Sequence, residues 1–107
     1  MTIRKQLKKE EWLDRLLTFS SGNRGRNASI ISNGDSLVNN MAFRDIEYDP
    51  PGKGDSLIIA MGKGDEDFRH IVAHPEDIFT YQKSDGEISE LEISDKKGNT
   101  CTIKFEF

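Results

Sequence analysis

The chain has 107 residues, 35% of them hydrophobic and 32% charged, and a formal net charge of −4. We expect one domain covering residues 1–107, long enough to bury a core without disulfide bonds or metal ions. The negative charge disfavours general binding to nucleic acids or anionic membranes, and a single cysteine, Cys101, excludes an intrachain disulfide and a cysteine-based metal site.

The segment formed by residues 1–9 is basic, but no hydrophobic run follows it. The pattern therefore does not predict a secretory signal, and no segment approaches the length that crosses a membrane. Cys101 lies in an alternating apolar pattern and is predicted to be a small buried hydrophobe rather than a nucleophile. Together these features predict a cytoplasmic protein.

A helix is predicted over residues 8–20. Trp12, Leu16 and Phe19 recur at helical spacing and form an apolar stripe that has to be buried. Acidic residues lie near the start, where negative charge suits the helix dipole. The pair Gly22-Asn23 is a typical C-terminal stop, so the helix is expected to end there.

After the helix, apolar residues recur at every second position, which is the period of a half-buried strand. Short turns such as Asn33-Gly34 separate these segments and predict antiparallel neighbours. The predicted fold is α+β, an N-terminal helix packed on a strongly curved antiparallel sheet of about six or seven strands, with a small barrel as the closed alternative. The predicted strands cover residues 29–32, 37–43 with an interrupted continuation at 46–48, 57–61, 68–74, 78–83, 88–94 and 100–107.

The tetrapeptide Gly-Lys-Gly-Asp occurs twice, at residues 52–55 and 62–65. A glycine-rich loop with a lysine can bind phosphate, but a Walker-type loop would need glycine where Leu57 stands, and no helix follows. Lys53 and Lys63 flank one strand, whose length of roughly 30 Å keeps them too far apart to hold one phosphate. The two copies therefore predict turns at the ends of a buried strand.

Histidines and carboxylates suggest a metal site as an alternative. Asp45, Glu47 and Asp49 alternate along a strand and could share one face, and His70 or His74 could join them. The two histidines by themselves would stand about 13 Å apart on a strand, too far for a common ion. Solvated edge carboxylates and a partly buried histidine are favoured, and a metal-binding or small hydrolytic domain is the alternative.

A second alternative, nucleic-acid binding, depends on the basic residues around the helix. Arg24 and Arg26 follow the helix. No aromatic residues that could stack on bases are interleaved with them, so a solvated loop is the favoured interpretation. The basic residues before the helix are Arg4, Lys5, Lys8 and Lys9.

A series of short, mostly apolar segments follows in order along the chain: Glu11-Trp12, Phe19-Ser20, Arg24-x-Arg26, Phe43-x-Asp45-Ile46-x-x-Asp49, Leu57-Ile58-Ile59-x-Met61-Gly62, His70-Ile71-x-x-x-Pro75, Leu91-x-Ile93 and Lys104-Phe105. Their order resembles an uncharacterised bacterial family of about 110 residues that is known only as a domain of unknown function. The resemblance covers most of the chain. It implies a common fold and brings no activity, cofactor or catalytic residue with it.

The sequence shows no catalytic constellation, and its composition indicates a highly charged surface around a thin core. We therefore predict a small cytoplasmic, non-enzymatic module that binds a partner protein or a small ligand, or self-associates through the sheet, with no cofactor and no metal ion. The candidate contact residues are Arg24, Arg26, Arg44 and His70, and no catalytic residue is predicted. The protein is expected to be a monomer or a homodimer, with nucleic acid a disfavoured partner and no membrane contact.

Overall fold

The computed structural model describes residues 2–106. A 3-10 turn at Lys9–Glu11 leads directly into helix α1 at Trp12–Asn23. No helix within the described residues is long and apolar enough to cross a membrane. The strands in this part of the chain are β1 (Thr2–Gln6), β2 (Asn27–Ser32), β3 (Asp35–Asp49), β4 (Ser56–Met61), β5 (Phe68–Ala73), β6 (Pro75–Lys83), β7 (Ile88–Asp95) and β8 (Thr100–Phe105).

The α+β class and the antiparallel sheet are confirmed, but among residues 2–106 the sheet has 8 strands, more than the predicted number of about six or seven. The sequence does not predict β1, because all of its residues are exposed and show no apolar alternation. The predicted segments 37–43 and 46–48 form one continuous strand, β3, with a register shift between Phe43 and Asp45. The helix continues past Ser20 to Asn23.

The sheet has the strand order β1-β6-β7-β8-β2-β3-β4-β5, so β1 and β5 are its two edges. His74 alone connects β5, at one edge, to β6, which lies next to the other edge. One residue cannot span the width of a flat sheet of this size, so the sheet has to curl until its two edges meet at this corner. The strong curvature is therefore present. The barrel alternative is wrong, because the edges meet at one point instead of pairing along their length.

One face of the sheet and one face of α1 form the core. Trp12, Leu16 and Phe19, the predicted helical stripe, are all buried there. The ring of Phe19 packs against Phe43 and Phe105, with centroids 5.5 and 5.8 Å away. Such tilted and edge-on contacts add to the stabilisation that comes from burying apolar area. The strands contribute fully buried side chains that include Ile30, Leu57, Ile59, Met61, Ile78, Leu91, Ile93 and Ile103.

Helix α1 takes the place of a neighbouring strand along part of β3. Strand β2 begins at Asn27, opposite Ala42, so within the described part of the chain no β-strand pairs with that side of β3 beyond this point. The Oγ atom of Ser20 accepts a hydrogen bond from the Ile46 N–H at 3.0 Å and donates one to the Ile46 carbonyl at 3.4 Å. Because buried backbone groups need partners, these bonds fix the position of the helix on the strand.

We expect the change Ser20→Ala to lower the free energy of unfolding by about 1–3 kcal/mol, since both polar groups of Ile46 lose a buried partner. The neighbouring serine, Ser21, is exposed and provides a matched control. Its change to alanine should alter stability by no more than about 0.5 kcal/mol. Urea unfolding followed by circular dichroism measures both values. Equal effects of the two changes would contradict the role assigned to Ser20.

Both copies of Gly-Lys-Gly-Asp lie in turns, as predicted. The copy at residues 52–55 connects β3 to β4, and the copy at residues 62–65 connects β4 to β5. Arg44 braces the second turn, because its guanidinium donates to the carbonyl oxygens of Gly62 and Gly64, each at 2.9 Å, and to that of Glu66. The second copy is therefore a turn held in place by a side chain from β3.

Candidate functional site

A cleft of about 460 Å³ lies beside the edge strand β5. Residues 70–74 form one wall, and the turns after β7 and after β2 form the other, with Asn33 and Lys96 among their residues. The cleft exists because the sheet edges meet only near His74, where the Lys96 N–H donates to the His74 carbonyl at 3.0 Å. Along the rest of this edge β5 pairs with no strand among residues 2–106. The volume lies within the range of small-ligand sites.

His74 stands at the corner of the cleft and is held by Asp55. The Nδ1 atom of His74 lies 3.0 Å from Asp55 Oδ2, and the His74 N–H donates to the Asp55 carbonyl at 2.8 Å. Both residues have positive φ, 50° for His74 and 48° for Asp55, which non-glycine residues rarely adopt. The imidazole is 60% exposed, and within the described residues its Nε2 atom forms no hydrogen bond. His74 lines the cleft, so this pair forms part of the wall of the cleft.

Asp55 supplies a fixed negative charge behind this histidine. Its hydrogen bond with His74 lowers the pKa of the carboxyl, burial opposes this effect, and the positive charges of Lys96 and Lys9 lower the pKa further. The side chain is 16% exposed. Its Oδ1 atom is buried and has no hydrogen-bond partner among residues 2–106. The carboxylate therefore stays ionised at neutral pH, and its charge is directed at His74 and the nearby lysines.

His70 points from β5 toward the core side of the cleft. It lies opposite Ile59 on β4, and Ile59 lies opposite Ile46 on β3. Residues that face each other across strands lie on the same side of a sheet, and both isoleucines are buried. The imidazole is therefore half-buried, and burial lowers the pKa of His70 below its ordinary value of 6.5.

We expect His70 to make the protein less stable as the pH falls. Since burial favours the neutral ring, the unfolded chain binds a proton more readily than the folded protein does. The free energy of unfolding should decrease as the pH drops below 6.5 and level off below the folded-state pKa. Urea unfolding between about pH 8 and about pH 5 measures this dependence. The change His70→Gln should make it shallower, and an unchanged dependence would contradict burial of the ring.

Two lysines give the opposite wall of the cleft a positive charge. Asp95 precedes them, but its carboxylate accepts hydrogen bonds from the N–H groups of Lys97 and Asn99 at 2.9 Å and from the Asn99 side chain at 3.0 Å. These contacts, the Asn99 side chain first, lower the pKa of Asp95. Asn33 donates to the Asn99 side chain at 3.0 Å and joins the two turns. No hydrogen bond or ion pair within the described residues engages the ammonium groups of Lys96 and Lys97.

Of the four predicted contact residues, His70 lies in the cleft and the three arginines lie elsewhere. The Nε atom of Arg24 donates to the Arg44 carbonyl at 3.1 Å. Arg44 itself braces the turn after β4. Arg26 forms an ion pair with Glu87 at 2.9 Å. Each of these guanidinium groups therefore contacts the protein itself.

The acidic cluster on β3 lies on the other side of the sheet from His70. Glu47 and Ile71 lie in one row of residues that face each other across β3, β4 and β5, so their side chains share one face of the sheet. Ile71 is 62% exposed, so this is the outer face. Asp45 and Asp49 share that outer face because side chains alternate along a strand. These carboxylates therefore do not converge with His70. No group of three or more His, Cys, Asp or Glu side chains in residues 2–106 could hold a metal ion.

The basic residues named for nucleic-acid binding are spread over the surface. Lys9 precedes α1, whereas Arg24 and Arg26 follow it, so a helix of about 18 Å separates the two groups. Arg4 lies on β1, where its guanidinium covers the ring of Phe79 at 3.6 Å from the centroid. The basic side chains at the two ends of the helix therefore form separate patches.

Sequence reasoning did not predict the pairing of Asp55 with His74. The signal lies in the β4–β5 hairpin, where Ser56 faces Ala73, so the residue before β4 and the residue after β5 have to be neighbours. An aspartate and a histidine at such positions indicate a hydrogen-bonded pair once the register is known. Lys96 has no comparable local signal, because it reaches His74 from a different hairpin.

The comparison with protein families matches residues 3–107 to DUF5335, described as a family of unknown function. The match covers nearly the whole chain and confirms the predicted resemblance to a family without an assigned activity. No curated protein and no solved structure matches the chain. The chemistry of the cleft is therefore the basis for any functional assignment.

Proposed function

We propose that this chain, which belongs to the family of unknown function DUF5335, is a small cytoplasmic, non-enzymatic module that binds a negatively charged ligand in the cleft. One observation carries the proposal: Lys96, Lys97 and His74 line the cleft, while donors of the protein hold the carboxylates of Asp55 and Asp95. A carboxylate or phosphate group would pair with the lysines through charge-assisted hydrogen bonds.

The same geometry favours binding over catalysis. Asp55 orients His74 as an acid orients the base of a catalytic triad, but within residues 2–106 no serine, threonine or cysteine side chain forms a hydrogen bond with the imidazole. Cys101 is 4% exposed, and burial raises the pKa of its thiol to about 11. The thiol therefore stays protonated and is a poor nucleophile. A hydrolytic module is the second candidate, supported by the Asp55–His74 pair and requiring water as the nucleophile.

Titration of isotope-labelled protein with inorganic phosphate, acetate and citrate, followed by NMR, tests the binding proposal. We expect amide signals of residues 70–74 and of the turn after β7 to shift together. The shift should weaken in the double variant Lys96→Gln/Lys97→Gln. The variant Lys53→Gln/Lys63→Gln removes the same charge from turns outside the cleft and should respond as the wild type does. Signals that stay in place, or that respond equally in both variants, would contradict the proposal.

The hydrolytic candidate has its own readout. A nitrophenyl ester mixed with the protein releases coloured nitrophenolate if water is activated in the cleft. Release that disappears in His74→Ala and persists in His70→Gln would support hydrolysis through the Asp55–His74 pair. Release at the rate of buffer alone, together with anion binding in the cleft, would support the binding module.

A further inference from the structure

Strand β5 lines the cleft with an edge that no other strand in residues 2–106 pairs. The His74 N–H donates to the Asp55 carbonyl at 2.8 Å and so faces the β4 side, and Ser56 faces Ala73 at the next position. Hydrogen-bonded and non-hydrogen-bonded pairs alternate along an antiparallel ladder. The N–H and C=O groups of Ala73 and Ile71 therefore point away from β4 and toward the cleft.

The hydrogen bonds of β3 lead to the same alternation independently. Ser20 binds the N–H and C=O of Ile46, so these groups point away from β4. Ile59, which lies opposite Ile46, then directs its own backbone groups to the other side, toward His70 on β5. His70 is thus hydrogen-bonded to β4, and its neighbour Ile71 offers its N–H and C=O to the cleft.

We infer that the cleft binds an extended peptide that is acidic at one end and adds a strand to the edge of β5. The inference rests on the proposed function and names its ligand class. Backbone groups at alternate positions of β5 match the spacing of an added strand, as in other β-strand additions. The side chain of Ile71, 62% exposed, offers an apolar contact beside this edge. Lys96 and Lys97 lie near the Ala73 end, where they complement acidic residues of the peptide.

A peptide suits this edge better than a second copy of the chain does. The turns after β2 and after β7 lie across the cleft from β5 and are joined by the hydrogen bond from Asn33 to Asn99 at 3.0 Å. The β5 strand of another copy would bring its own β4 with it, because β5 pairs with β4 along its other edge. A single extended segment needs room for one strand only.

Fluorescence anisotropy with a labelled peptide tests the inference. The probe is a short peptide with two glutamates followed by alternating valine and threonine. Two further versions of this peptide carry N-methyl groups on alternate amides, one version on the odd-numbered amides and the other on the even-numbered amides. Since alternate N–H groups of a strand point to the same side, one version blocks pairing with β5 and the other leaves it intact. We expect one methylated version to bind at least about tenfold more weakly and the other to bind as the parent peptide does.

Variants of the protein give a second measurement. Ile71→Pro removes an N–H that points into the cleft and no hydrogen bond to β4, so proline is compatible with this edge position. It should weaken peptide binding by about tenfold, whereas Ile71→Val keeps both the N–H and an apolar β-branched side chain and should bind almost normally. Lys96→Gln/Lys97→Gln should weaken the parent peptide as well, and more at low salt than at high salt.

The outcomes separate the peptide inference from the proposed function. Binding that depends on the lysines but is equally sensitive to both methylated versions would overturn strand addition and leave the anion-binding module standing. Binding that is indifferent to Lys96 and Lys97 would overturn both. If sedimentation shows a dimer that the peptide does not dissociate and that Ile71→Pro does, the edge belongs to a second copy and the peptide inference is wrong.

Discussion

Replacing Gly62 with alanine is expected to destabilise the protein by about 3 kcal/mol, because two separate costs add up at this position. Gly62 has a φ of +128°, a conformation that residues with a Cβ atom rarely adopt. A Cβ atom would also meet the carbonyl oxygen of Glu66 far inside van der Waals distance and its carbonyl carbon at 2.7 Å. Arg44 donates to that same carbonyl, so the loop cannot move aside without losing a brace.

Gly64 provides the matched control for this prediction. It lies in the same turn with a φ of +66°, but a Cβ atom there would meet nothing within 4 Å. Gly64→Ala should therefore cost about 1 kcal/mol, the strain of the left-handed conformation. Urea unfolding of both variants gives the comparison. If Gly62→Ala costs no more than Gly64→Ala, the close approach of Glu66 is not what requires glycine.

Trp12→Ala should lower the free energy of unfolding by about 3–5 kcal/mol, the usual cost of removing a large buried aromatic side chain. Trp12 is 1% exposed. Its ring meets Tyr48 edge-on at 5.1 Å between centroids, and its Nε1 donates to the Leu7 carbonyl at 3.2 Å. The change thus leaves a cavity under the start of α1 and removes one of the hydrogen bonds that hold the preceding segment.

Leu17, an exposed leucine in the same helix, provides the control for this prediction. It shows how much stability is lost when a large side chain that is not buried is changed to alanine. Leu17 is 70% exposed, so Leu17→Ala should alter stability by no more than about 0.5 kcal/mol. Thermal unfolding of the two variants under identical conditions shows which of them loses more stability. Comparable losses would mean that Leu17 is covered in solution, and a small loss for both would mean that Trp12 does not hold the helix on the sheet.

The elements that follow a strict apolar period could be predicted from the sequence, and the exposed ones could not. The stripe of Trp12, Leu16 and Phe19 predicts α1 because each residue has to be buried on one side of a helix. The alternation of Cys101, Ile103 and Phe105 predicts β8 in the same way, since all three are buried. β1 has no such pattern because one neighbour, β6, holds it by backbone pairing while its side chains face solvent.

The candidate site was harder to predict, because the order of the strands creates it. Asp55 and Lys96 come from different hairpins, and both contact His74 where the edges of the curled sheet meet. The sequence shows that Arg26 and Arg44 are positively charged, but it does not show which groups their side chains contact. Their guanidinium groups hold the fold together through Glu87 and through backbone carbonyls.

The pairing of β2 with β8 also determines when the sheet can be completed during synthesis of the chain. Strands β2 to β5 follow one another in the sheet, as do β6 to β8, and the β2–β8 pair joins these two series. Ala28 faces Phe105 in that pair, so the join needs residues from distant parts of the chain. During synthesis, the edge of β2 that pairs with β8 therefore stays unpaired until β8 has left the ribosome. A chain halted after β7 would expose that edge to other nascent chains and should aggregate.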